Sequence, residues 1–441
     1  MIKKKIIALA LLILAIGILI PGASGKTLSY YAGDAINYRG QLVVATTNTN
    51  NLEIWKLSGN TLIKVITVSL KDPVFSQPVP FYDVLLNVSG DNHLYAYASA
   101  GASFYRYDIS GLNQAGVSLT ATRKVSNSIY DWYGRMTMLN GNLVTVGSKG
   151  VKIWNNNFDT VDTFNFTDIA NSYNVRLADN SRYILNINSA NKTLEIFDMQ
   201  QRQVVRVVSL NYSNTNGNHA AYFDPSNSAI YAVDDNKLKE FNLNGEITNS
   251  FVHKGNQGFD VVPSSDGQNL YFSDGVGVVK MNKNNLQVVN YNFTYKYEPN
   301  SWAMGLKAVA FGGREKVVVF DNANILVLDG NSLKKIALVQ ATTIDNRPVF
   351  MEDLYLHEVA RGRNVYGING GGFEVGENIN LQYLSQSQIL KANGLGGFAT
   401  TITLPISTST PTRLNVTATG MASGKHYSIA FPTVTSTIVA K

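Results

Sequence analysis

From about residue 28 to residue 343 the chain alternates short apolar runs with turns rich in Asp, Asn and Gly, and one pattern keeps returning. The clearest copy is the turn Ser264-Ser265-Asp266-Gly267, the run Leu270-Tyr271-Phe272, and then Val278-Val279-Lys280-Met281-Asn282. Asp224-Pro225-Ser226-Asn227, Ile230-Tyr231-Ala232-Val233 and Leu238-Lys239-Glu240-Phe241-Asn242 repeat it. So do Ala178-Asp179-Asn180, Tyr183-Ile184-Leu185 and Leu194-Glu195-Ile196-Phe197-Asp198. Apolar runs of this length, bounded by turn residues, predict strands. The large residue near the end of the second run marks seven copies, Trp55, Tyr107, Trp154, Phe197, Phe241, Met281 and Leu328, at intervals of 40 to 52 residues. That period suits a four-stranded propeller blade, because one such sheet cannot bury both faces alone and radial stacking buries them. Six markers are followed by Asp or Asn and Trp55 by Lys56; a short polar side chain there suits the turn into an outer strand. The expected fold is all-β, a seven-bladed β-propeller over residues 26–343, with six to eight blades compatible with the pattern.

The pattern changes near residue 364. Val365-Tyr366-Gly367-Ile368 and Gly371-Gly372-Phe373 lead into Gly376-Glu377, and Ile379-Asn380-Leu381-Gln382-Tyr383 alternates as a strand does. Phe398 to Leu404, Leu414 to Gly420 and Tyr427 to Phe431 supply further strands. A small β-sandwich is expected over 364–441, with 344–363 as a connector or a ring-closing strand.

The Asp/Gly turn, the Leu-Tyr strand and the aromatic-Asp ending resemble the repeats of WD-type and surface-layer (YVTN-like) β-propellers over roughly residues 28–343. The C-terminal stretch resembles the small immunoglobulin-like modules of prokaryotic surface proteins. There Gly-Phe-x-x-Gly-Glu, here Gly372 to Glu377, opens the domain, and Ala-Thr-Gly-x-x-Ser-Gly, here Ala418 to Gly424, joins two late strands.

The N-terminus carries Lys3-Lys4-Lys5, an apolar run from Ile6 to Ile20, Pro21-Gly22 and the small residues Ala23-Ser24-Gly25. This is the order of a secretory signal peptide, expected over 1–25. Fifteen residues at ~1.5 Å each span roughly 22 Å, short of a ~30 Å hydrocarbon core. Cleavage would leave an exported chain with no transmembrane anchor; a retained N-terminal anchor is the alternative. Removing the three lysines cuts the formal charge from +6 to +3, too little to imply nucleic acid or another acidic partner. With no Cys there is no disulfide, thiolate nucleophile, Cys-based zinc site or lipid attachment, so stability rests on packing and strand pairing.

Catalytic signatures are missing. His93, His219, His253, His357 and His426 lie far apart with no metal-ligand spacing. No nucleophile elbow, P-loop or dinucleotide-binding loop occurs. Asp234-Asp235-Asn236 lacks the spacing of a calcium loop. Arg135 and Arg176 sit on comparable inner strands, too few for the arginine cluster of a sialidase-type site. No metal, cofactor or catalytic residue is therefore expected. Six Asn-x-Ser/Thr sequons, at Asn87, Asn165, Asn191, Asn211, Asn292 and Asn415, are glycosylation candidates in the number that composition alone would give.

The expected function is non-enzymatic: a secreted, cell-surface-associated protein whose propeller binds and whose immunoglobulin-like module spaces or assembles, as in surface-layer or adhesion proteins. Its partners would be cell-surface proteins or glycans, or further copies of itself. The alternative is a secreted propeller enzyme, a hydrolase, lyase or quinone-dependent dehydrogenase, with its site at the channel mouth. The WD-type resemblance implies that the segment entering each innermost strand lies at one mouth of the channel. Those segments hold Tyr82, Trp132, Tyr173, His219, Phe259 and Trp302, with Tyr130, Asp131 and Tyr133 beside Trp132. Such rings stack on sugars or grip an extended peptide, and Trp132 and Trp302 are the expected anchors. Wedging of the same rings between blades is the competing reading.

Overall fold

The computed structural model describes residues 30–48, 51–71, 78–79, 81–100, 103–112, 121–126, 135–147, 150–164, 175–177, 182–188, 191–210, 220–224, 226, 228–234, 237–253, 258–274, 277–292, 303–321, 324–340, 348–350, 353–360, 365–393, 396–403 and 413–432. Among these residues there is no helix. They form consecutive small sheets: a first whose four leading strands follow in sequence order and which also takes in Pro78–Val79 and Pro348–Phe350, then six of four antiparallel strands in sequence order. Their first strands are Tyr30–Tyr38, Phe81–Val88, Arg135–Leu139, Val175–Leu177, Ala221–Asp224, Asp260–Pro263 and Ala303–Phe311. The sheets pack in order, and the first strand of the seventh returns against that of the first. The result is a propeller-like ring with the first strands innermost.

All seven sequence markers fall on the third strand of a sheet: Asn51–Ser58, Ser103–Asp108, Gly150–Trp154, Thr193–Asp198, Lys237–Phe241, Val278–Asn282 and Asn324–Asp329. All seven are buried. Each also marks the same irregularity, a one-residue slip in pairing with the outer strand immediately before the marker. A bulge bends the strand and raises its twist, so the large residue fills the space between neighbouring sheets just where the edge turns away. The Asp or Asn that follows closes the turn. Asp108, Asn155, Asp198, Asn242, Asn282 and Asp329 each accept the backbone N–H two residues on, at 2.8–3.1 Å. In the first sheet the third strand runs on to Ser58 and turns through Gly59 at φ 57°, so Lys56 lies within the strand and no Asx turn is needed there.

Neighbouring sheets are stitched by tyrosines reaching the next sheet's turn: Tyr38 Oη donates to Asn92 O at 3.0 Å, Tyr231 Oη to Lys283 O at 3.2 Å and Tyr271 Oη to Gly330 O at 2.7 Å. Ring closure has an apolar core shared by the two end sheets. Ala35, Leu42, Val44 and Trp55 of the first pack against Val309, Val318, Phe320 and Val327 of the seventh. Phe320 lies so close that a Cβ on Gly33 would come within 2.1 Å of its ring. Pro348–Phe350, inside the segment expected to connect or close the ring, pairs in parallel with Ser69, Leu70 and Lys71 at the outer edge of the first sheet.

The remaining strands form a module of two sheets, Asp353–Ala360, Val365–Gly371 and Phe398–Thr403 in one, Gln386–Lys391, Asn378–Tyr383, Arg413–Gly420 and His426–Pro432 in the other. Leu354, Ile368, Phe398, Ile379, Leu381, Val416 and Ala418 fill the space between them. Asp353–Ala360, which lies in the stretch expected as a connector, pairs along Val365–Gly371. No periodicity across 353–360 announces that pairing. The two sequence motifs of the module meet at one side chain. The buried Glu377 carboxylate accepts the N–H groups of Glu374 (2.5 Å), Ala422 (3.0 Å) and Ser423 (2.9 Å) and the Ser423 hydroxyl (2.8 Å). Lys425 Nζ reaches back to Gly372 O at 2.6 Å.

Candidate functional site

The inner strands of all seven sheets converge on an open cavity of about 420 Å³. Its wall mixes charged, polar and apolar groups. Asp34, Asp83, Arg135, Asp260 and Lys307 give charge to the first, second, third, sixth and seventh sheets, and Ser264 and Ser265 add polar groups. The fourth sheet contributes Val175, Leu177 and Leu185, and Ala221 extends that apolar arc to the fifth.

The carboxylates hold the ring together before they do anything else. Asp34 accepts the N–H of Ala35 at 2.8 Å and, across to the second sheet, that of Leu86 at 2.7 Å. Asp83 accepts from Met136 of the third sheet at 2.9 Å. Asp260 accepts from Val261 at 3.0 Å and from Leu306 of the seventh sheet at 2.8 Å. Bonds from amides to an ionised acceptor are the stronger kind, so each Asp latches its sheet to the next. Two cations lie over the latches: Lys307 Nζ is 3.0 Å from Asp34, across the ring closure, and Arg135 Nη1 is 3.4 Å from Asp83. Both cationic side chains retain about a quarter of their exposure, 23% each, and both line the cavity.

Burial pushes the Asp83 carboxyl up to about 6, against the opposing pull of Arg135 and of the Met136 and Val84 amides; the nearby Asp34 charge adds to the rise. Tyr222, also in the wall, is pushed up to about 12 by burial and by Asp224. Among the described residues no group of three His, Asp or Glu side chains is arranged to hold a metal ion.

Of the residues expected at the channel mouth, Trp132, Tyr133, Tyr173, His219 and Trp302 lie outside the described residues, as do Tyr130 and Asp131. Tyr82 is half-buried and Phe259 buried at 6% exposure. Neither lines the cavity; their chain neighbours Asp83 and Asp260 do. At Tyr82 the pairing register slips between Phe81 and Asp83. The sequence clue to the latch is a shared local pattern, Gly33-Asp34-Ala35-Ile36, Tyr82-Asp83-Val84-Leu85 and Phe259-Asp260-Val261-Val262. Arg135 enters as an ion-pair partner of Asp83, and the Arg176 side chain lies outside what is described. Of the sequons, Asn191 and Asn415 are exposed, Asn87 and Asn292 are half-buried, and Asn165 and Asn211 lie outside the described residues.

No protein-family model matches the chain. No curated protein matches it either. Among solved structures it is similar to KlHsv2 with loop 6CD replaced by a Gly-Ser linker, with a TM-score of 0.43 and 9% identity, over 80% of this chain and 98% of that one. A likeness of that size carries no argument about function, and the propeller-like reading stands on the order and packing of the sheets.

Proposed function

We propose that the chain is an exported, cell-surface-associated binding protein without catalytic activity, a seven-bladed β-propeller followed by an immunoglobulin-like module that spaces or assembles it. The ligand is a glycan or a partner loop taken at the channel mouth. The observation that carries this is the mixed polar and apolar cavity wall. A paired set of carboxylates and cations supplies both acceptors and donors for hydroxyl or peptide groups, and the Val175, Leu177 and Leu185 arc receives a C–H face. Trp132 and Trp302, a few residues ahead of the inner strands at Arg135 and Ala303, are the aromatic anchors of the same reading.

The test is titration of the mature protein with polysaccharide stripped from the envelope of its source cells. Trp132→Ala or Trp302→Ala is expected to weaken binding by more than ~1 kcal/mol, about fivefold in Kd, at unchanged melting temperature. Loss of stability with no separable loss of binding assigns the rings to the core. N-terminal sequencing tests export: the mature chain is expected to begin between Ala23 and Thr27, and Met1 on membrane-bound protein overturns it.

A further inference from the structure

The sequons are equivalent as sequence, but their surroundings are not. Asn292 lies on Val288–Asn292, the outer strand of the sixth sheet, and its Nδ2 donates to Leu333 O of the seventh sheet at 2.5 Å. A sugar on that nitrogen would leave it a single N–H and push a bulky group between two packed sheets. Asn87 lies on the inner strand Phe81–Val88, two and four residues beyond Leu85 and Asp83, which both line the cavity. Strand alternation puts half-buried Asn87 on the face it shares with Leu85, which packs against Met136 and Met138 of the third sheet, so a transferred glycan would have to enter between packed sheets. Asn191 instead sits in the exposed turn before Thr193–Asp198, with Lys192 at φ 54°. Asn415 is exposed on Arg413–Gly420, on the opposite side of the strand from the buried Val416 and Ala418. In both, the sequon threonine, Thr193 or Thr417, is partly exposed.

We infer that Asn191 and Asn415 are N-glycosylation sites of this protein and that Asn87 and Asn292 are not. The reaction joins Asn Nδ2 to the anomeric carbon of a sugar. The donor is a lipid-linked sugar (pyro)phosphate, the phosphate departs with the bonding pair of the C1–O bond, and the amide nitrogen loses one proton. The inference rests on the export reading, because the donor is met only on the secretory route.

Glycopeptide mass spectrometry of the full chain, secreted from an N-glycosylating host, tests it. Glycan is expected at Asn191 and Asn415, with unmodified peptides at Asn87 and Asn292. An Asn191→Gln, Asn415→Gln double variant should lose both glycopeptides while remaining secreted. Glycan at Asn87 or Asn292 on folded protein overturns the inference. Bare Asn191 and Asn415 on protein whose signal peptide has been removed overturns it while leaving export intact. Protein retained inside the cell with Met1 in place overturns both.

Discussion

Replacing Glu377 by Ala tests whether one side chain joins the two motifs of the C-terminal module. The carboxylate accepts four hydrogen bonds from two segments, Glu374 on one side and Ala422 and Ser423 on the other. A hydrogen bond to a charged group contributes ~1.5–3 kcal/mol, and losing a shared acceptor leaves every donor unmatched, though the contributions are not additive. Three of the four donors sit in one turn, so the net loss is expected to be about 3–5 kcal/mol. For a unit of about 80 residues, each kcal/mol moves the midpoint by roughly 4–8 °C, which places the shift at ~12–40 °C. Gln keeps one acceptor oxygen and sets an NH₂ against backbone donors, so Glu377→Gln is expected to recover less than half of the loss. Gly420→Ala attacks the same contact from the partner side, since its Cβ would meet the Glu377 carboxylate oxygens at 2.7 Å. Calorimetry of the full chain should show the module's transition moving while the propeller's stays in place. The amides and hydroxyl around Glu377 hold its carboxyl below its ordinary value of 4.5 against the opposing effect of burial. Its stabilisation is therefore complete above that pH and lost as pH falls through the lowered value. A Glu377→Ala shift smaller than ~5 °C, or an equal shift of both transitions, refutes the reasoning.

Gly33→Ala is expected to cost more than ~2 kcal/mol by overpacking the ring closure against Phe320, and Phe320→Leu in the same chain should restore part of it in urea melts. Asp83 has the opposite pH sign from Glu377. Its rise from 3.8 to about 6 means the folded protein holds the proton more tightly, so stability from this group grows as pH falls from 7 toward 4, by up to ~3 kcal/mol. Asp83→Asn should flatten that component when unfolding free energies at pH 7 and pH 5 are compared with wild type; an unchanged pH slope rejects it. Asn282→Ala removes the acceptor for the Asn284 amide and should cost about 1 kcal/mol, whereas Lys56→Ala, within a strand, should leave thermal stability nearly unchanged.

The order of strands was legible because the repeat is local. A marker residue, its bulge and the Asx turn after it occupy a few consecutive positions, and turn chemistry depends on side chains reaching backbone two residues away. The paired motifs of the C-terminal module were legible for the same reason, since each is a short run with its own glycine requirement; Gly376, for example, sits at φ 77°.

What the sequence by itself determined is thus the strand inventory, the turns and the residues that fill the space between sheets, all governed by period-two alternation and nearest-neighbour geometry. Which face of an inner strand meets the channel was decided only by the tertiary structure. The pairing slips by one residue between Phe81 and Asp83, and it is Asp83 and Asp260, not their neighbours Tyr82 and Phe259, that line the described wall. Pairings between distant segments also needed the closed ring. Lys307 meets Asp34 because the seventh sheet returns to the first, Pro348–Phe350 finds the edge left open at Ser69, and Glu377 reaches Ser423 only once two strands have paired. Such contacts depend on where chain segments are brought together in space, and no local pattern of hydrophobic and polar residues encodes that distance.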